Sequence, residues 1–406
     1  MNAELIIDHR TQAETLVHRI YQHVAAQPLD EPYSLFGGQA GFALFEAYYH
    51  RQFGVEDSLR VWDRLSVCID AIAAGKVIYP FADGMAGIAW CFLHLANNGF
   101  LADSPDDPQD LVAALDEPLF LLAMEDLVEG NYDYMHGGLS SCLYFLERRP
   151  GPEIAAYITQ LVDQLATIAI PKNEGELTWV FPNFGNRKPE DPITYNLGLS
   201  HGTASIVALL CQIYKRGYAK AQCARLIDGA LRWMWTNQNT ANIALFPNCV
   251  MDEHPDEYSR LAWCYGDLGI ANTFWLAGET LQNAYWKQIA EQAVLKAAIR
   301  RNREETSIAD AGLCHGSAGA THLFAHFADR YPVPILGKAA QFWLDDTFSR
   351  TLPLDENDTF LQCIHIDGTD LYRPALGLLE GEAGIGMILL TYLGASPVWE
   401  RAFLLR

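Results

Sequence analysis

Seven short glycine motifs recur along the chain and constrain its fold more than any other feature. They read "GGQAGFAL" from Gly37, "DGMAGIAW" from Asp83, "HGGLSSCL" from His136, "HGTASIVA" from His201, "YGDLGIAN" from Tyr265, "HGSAGATH" from His315 and "EGEAGIGM" from Glu380. With Gly38, Gly84, Gly137, Gly202, Gly266, Gly316 and Gly381 as anchors, the spacings are 46, 53, 65, 64, 50 and 65 residues. Self-similarity at such a period marks a repeat architecture. Each interval has room for two helices and their connections.

The segments after the glycines, such as "GIAWCFLHLA" and "GMILLTYL", are small and apolar nearly all round, as helices buried on both sides are. Others ("SIVALLCQIYKRGY", "AQCARLIDGALRWMWTNQ", "PILGKAAQFWLDDTF", "WKQIAEQAVLKAAIRR") place apolar residues at i, i+3, i+4 and i+7, the pattern of a half-buried helix. Seven pairs of one buried and one amphipathic helix predict an all-α fold, an (α/α)7 toroid of about fourteen helices in two layers. A stacked solenoid satisfies the same period but does not gather one end of every repeat onto one rim. Residues 1–406 then read as a single domain. Two insertions, "ELTWVFPNFGNRKPEDPITYNLGLSHG" and "ALFPNCVMDEHPDEYSRLAWCYG", carry "FPN" 18 to 19 residues before a motif glycine. Their Pro, Asn and Gly content predicts related loops or short strands over that rim.

The net charge of −22 repels nucleic acid, so no nucleic-acid partner is expected. The N-terminal stretch lacks an apolar core of the signal-peptide kind, and no apolar run reaches the roughly 18 residues of a membrane span. A cytoplasmic protein without an integral membrane segment is expected. Nine scattered cysteines point to reduced thiols rather than a disulfide framework.

In a toroid the residues just before the glycines ring one opening. Cys264, Cys314 and His315 would then converge from neighbouring repeats. A lone cysteine is as often a small buried apolar residue. Two at equivalent positions, one beside a histidine, favour a metal site. Two thiolates and an imidazole suit zinc, and three protein ligands leave a fourth position for substrate. Such a thiolate-rich site suits activation of a substrate thiol more than polarisation of a carbonyl. His201 projects into the same ring as a candidate general acid or base. Asp133, four residues before Gly137, is placed to pair with such a histidine, although a lone aspartate also caps turns. Arg260, four residues before Cys264, is placed to stabilise a developing oxyanion or to neutralise the site. His136 has only its position in its favour. His94, His254, His322, His326 and His365 lie off the pattern and read as structural or surface residues.

"WCYG", "CHG", "SHG" and the sevenfold glycine repeat together resemble the lanthionine synthetase C-like (LanC) family over residues 35–395, and specifically its stand-alone class I lanthipeptide cyclases. The resemblance implies an α/α toroid with one zinc per chain at the centre of one rim, held by Cys264, Cys314 and His315. It implies Michael addition of a peptide cysteine thiolate to dehydroalanine or dehydrobutyrine, closing a thioether ring. His201 matches the proton donor, Asp133 its acidic partner, and Arg260 and Tyr265 residues around the zinc. The implied partners are a dehydrated, leader-bearing precursor peptide, with a dehydratase and an exporter complex that would hold the enzyme peripherally at the membrane. The third and fourth motifs depart from the pattern, with serine in place of the second glycine, and no β-rich insertion of the kind some family members carry is identified. Addition of glutathione to dehydroamino acids, and a non-catalytic peptide scaffold, are the competing functions.

Overall fold

In a computed structural model of the chain, residues 8–101, 107–182, 192–252, 254–255, 259–353 and 359–406 are described. Seven helices follow the seven motifs: Gln39–Phe53, Met85–Asn97, Ser140–Glu147, Thr203–Lys215, Asp267–Thr280, Ser317–Arg330 and Glu382–Tyr392. Each contacts its neighbour in that order, and the last contacts the first, so they close an inner ring. That closure excludes the open solenoid.

A second layer wraps the ring: His9–Ala25, Ser58–Ala73, Asp116–Val128, Pro152–Thr167, Lys220–Thr236, Ala284–Ala297 and Pro334–Ser349. The architecture is the expected (α/α)7 toroid. Burial follows the two layers. Met85–Asn97 buries every residue from Ala86 to Leu95, whereas Pro152–Thr167 buries only Ile154, Ile158, Leu161, Val162 and Leu165, a single stripe. One expectation fails in detail. The segment from Ser205 to Tyr218, read as half-buried, lies largely in the inner helix Thr203–Lys215, which buries every residue from Thr203 to Ile213. Its polar Gln212 and Ser205 imitated an exposed face.

Close approach, rather than unusual backbone angles, explains most of the glycines. Gly84 caps its helix in an extended conformation, and a Cβ there would lie 1.9 Å from the Ile78 carbonyl oxygen. That carbonyl accepts from the Met85 N–H, and the same link joins Pro32 to Gln39, Asp310 to Ser317 and Ala375 to Glu382. Gly266 needs glycine twice over, with φ +87° and a Cβ that would meet the Arg260 oxygen at 1.9 Å. The third motif differs: its helix starts at Ser140, three residues after Gly137.

The C-terminal residues were not foreseen as structural. Pro397–Phe403 forms a 3-10 helix whose end fills the axis of the ring. Phe403 stacks on Phe36 and meets Trp263 and Trp399 edge-on; the Trp263 indole N–H donates to the Phe403 carbonyl at 2.8 Å. Glu400 pairs with His322 and His326 of one inner helix, and Arg401 pairs with Glu147 of another. Phe403→Ala, at a fully buried aromatic, is expected to cost about 3–5 kcal/mol, read as a lowered denaturant midpoint.

Over the motif rim lie a three-stranded antiparallel sheet (Thr194–Asn196, Cys249–Met251, His254–Pro255) and a hairpin, Leu361–Ile366 with Thr369–Pro374. The first matches the expected strands over the rim. The "FPN" at 181–183 falls partly outside the described residues. No described helix is long and apolar enough to cross a membrane. All nine cysteines are free thiols, as expected.

Candidate metal centre and its rim

The residue two before each motif glycine takes part in a circular chain of backbone hydrogen bonds. Phe36 N–H donates to Ala82, Ala82 to Met135, Ser200 to Cys264, Cys264 to Cys314, Cys314 to Leu379 and Leu379 to Phe36, at 2.9 to 3.4 Å. The glycines are therefore equivalent in space. Six of the seven steps around the rim are backbone bonds. The remaining step, from the third repeat to the fourth, is spanned by side chains: Asp133 Oδ2 accepts from His201 Nδ1 at 2.7 Å.

Cys264 and Cys314 occupy adjacent steps, and His315 follows Cys314. Their ligand atoms lie within 4.8 Å of one another, and the two thiols are almost fully buried. The Cys314 thiol, hydrogen-bonded to the Cys264 sulfur, holds Cys264 well below the usual thiol range against the opposing effect of burial; His315 and Arg260 add to this. That same bond, with burial, pushes the Cys314 thiol up. Burial lowers the pKa of His315, but its hydrogen bond to Cys264 and that sulfur's charge outweigh burial, and the net shift is upward. Two sulfurs and one imidazole nitrogen at this spacing fit a borderline-soft divalent cation of the zinc type.

Arg260, His315 and Glu380 line one side of a cavity of about 690 Å³, and Gln362, Cys363 and Arg373 of the hairpin line the other. His315 lines this cavity, whereas Cys264 and Cys314 do not. Tyr265 does not line this cavity; its hydroxyl accepts from Asn196 Nδ2 at 3.0 Å, and burial pushes its pKa up to about 12.

Asp133 is fully buried. Its Oδ1 accepts from the Met135 and His136 N–H groups, both at 2.8 Å, which leaves Oδ2 for His201. The accepted bond places a proton on His201 Nδ1 and directs chemistry to Nε2. Ser200 ties this pair to the sulfur side, since its N–H donates to the Cys264 carbonyl at 3.2 Å. The structure thus gathers Cys264, Cys314, His315 and Arg260 into one cluster, with His201 and Asp133 on the adjoining steps.

Two supporting residues, Asp310 and Asn196, are not singled out by the sequence, and a third, Glu380, is placed by its motif but given no role there. Asp310 bridges the cysteine–histidine turn to the hairpin, accepting from Gly312 N–H and Cys363 N–H, both at 2.9 Å. Glu380 accepts from Gln362, and Asn196 holds Tyr265. Asp310 and Asn196 each stand two residues before a glycine whose N–H their side chain accepts, an Asx-turn spacing that was legible. Of the off-pattern histidines, His94 and His322 are buried in the core, His326 is half-buried, and His254 and His365 are exposed. His322, His326 and Glu400 also lie within metal-ligand distance of one another, and they tie down the C-terminal segment.

Among curated proteins, the chain is 20% identical to nisin biosynthesis protein NisC of Lactococcus lactis subsp. lactis, with 79% of this chain and 76% of that protein covered. Among solved structures it resembles nisin cyclase with a TM-score of 0.71 at 17% identity, over 97% of this chain and 96% of the other, which is a likeness of fold. The family model described as lanthionine synthetase C-like protein matches residues 30–404, and the chain belongs to that family.

Proposed function

We propose that this chain is a zinc-dependent lanthipeptide cyclase that works as a single domain over residues 1–406. The observation that carries the reading is the rim itself. A thiol–thiol–imidazole cluster stands beside a His–Asp pair on adjoining steps of one closed ring.

Cys264, Cys314 and His315 would hold one zinc ion, which when bound would keep a substrate cysteine as its thiolate near neutral pH. The substrate is a dehydrated, leader-bearing precursor peptide. Its sulfur bonds to the β-carbon of dehydroalanine or dehydrobutyrine, and the alkene electron pair moves to the α-carbon and its carbonyl as an enolate. Arg260, in the cavity wall beside His315, offers positive charge to that enolate oxygen. His201 delivers a proton from Nε2 to the α-carbon. Asp133 fixes the ring and stabilises the imidazolium before transfer. Tyr265, held by Asn196, braces the turn that carries Cys264. The thiol proton leaves to solvent, so atoms and charge balance over the turnover.

The protein acts in the cytoplasm alongside a dehydratase and an exporter. The direct test combines purified protein, zinc and a dehydrated peptide with one free cysteine. Loss of free thiol without a mass change, faster than in the protein-free control, is expected. Thiol persisting at the control rate overturns the cyclase reading, and a glutathione adduct formed in its place supports glutathione transfer.

A further inference from the structure

The residues immediately before the second, third and fourth motif glycines are Asp83, His136 and His201. Equivalent by the repeat, they stand in line along the rim. His136 Nδ1 lies 3.4 Å from Asp83 Oδ2. The His136 and His201 rings are nearly parallel, 18° apart in plane, with centroids 5.7 Å apart. The Asp133 carboxylate that binds the His201 ring also accepts the backbone N–H of His136, so one buried group anchors the His201 side chain and the His136 backbone.

Side-chain exposure falls along this line, from 52% at Asp83 to 34% at His136, 24% at His201 and 0% at Asp133. It leads from water to the buried end of the catalytic pair. The cyclisation proposed above sends one proton per turnover from His201 to carbon, and that proton must be replaced. Asp133 has no access to water and already receives Nδ1, so replacement reaches His201 from the solvent side.

We propose that His136, oriented by Asp83, is the proton relay that recharges His201 between turnovers. With the ring centroids 5.7 Å apart, one bridging water spans the transfer: His136 gives up a proton, His201 Nε2 gains one, and His136 is recharged from solvent. His136 acts through His201 and is a positioning and relay residue. The proposal rests on the cyclase reading.

The test is ring closure by His136→Phe, which keeps a stacking ring without a titratable nitrogen, and by His136→Gln. The substrate is a saturating single-ring dehydrated peptide in dilute non-imidazole buffer. Both variants are expected to lose about 100-fold in kcat, the low end of an acid–base contribution, with KM unchanged. Added imidazole should restore much of that loss and leave wild type unaffected. A wild-type kcat in either variant overturns the relay, as does a loss that no imidazole concentration relieves, because a packing role does not respond to a diffusible proton carrier. Wild-type protein that closes no ring overturns the cyclase reading and the relay with it.

Discussion

Cys264→Ala and Cys314→Ala are each expected to abolish stoichiometric zinc binding and ring closure while leaving the helical content intact. The two effects separate because the rim is built from backbone. Cys264 and Cys314 join their neighbours through N–H and C=O groups, which alanine retains. Each substitution removes one small side chain, so the stability loss is modest. The donor set, however, falls from three to two. Metal catalysis of this kind contributes several kcal/mol, so a loss of about 4 kcal/mol corresponds to about 10³-fold in rate. Elemental analysis of the purified variants, with circular dichroism as the fold control, reads both effects. About one zinc per chain in both variants would remove these cysteines from the ligand set.

The ring was legible because its cause is local. A glycine is required where backbone passes so close to where a Cβ would stand, as at Gly84 and Gly266; backbone atoms 1.9 to 2.5 Å away mark six of the seven anchor glycines, and Gly137 meets the Asn131 side chain instead. Placing Cys264, Cys314 and His201 on a common rim followed from counting back from those glycines. The closed chain of backbone bonds is the physical form of that count. The C-terminal plug was not legible. Pro397–Phe403 is short, lies outside the repeat, and owes its burial to the lumen it fills. The hairpin was legible but overlooked. "LQCIHIDGTDLYRP" has an Asp367–Gly368 turn between two strands, with both turn residues at positive φ. Asp133 marks the boundary. Its spacing suggested a partner for a histidine, but only the structure shows why it is an aspartate: one oxygen is taken by two backbone N–H groups, so the other alone remains for His201.

That division of the carboxylate makes Asp133→Asn the sharpest test of the acid–base pair. The asparagine oxygen can keep the bonds from Met135 and His136, which leaves the NH2 group facing His201 Nδ1. An NH2 group donates, so Nδ1 must accept and the neutral ring must carry its proton on Nε2. The negative charge that stabilises the imidazolium is lost at the same time. Zinc content and fold are expected to persist, because the cysteine–histidine cluster and the backbone ring are untouched. Ring closure should slow by about 10²- to 10⁴-fold, the range for loss of a general acid–base group or of its orienting carboxylate. Protonation of the enolate would then fall partly to water, which can reach either face of the α-carbon. Chiral analysis of the hydrolysed product should show mixed configuration at that carbon, where wild type gives one. A wild-type rate together with a single stereoisomer would remove Asp133, and with it the His201 dyad, from the chemistry.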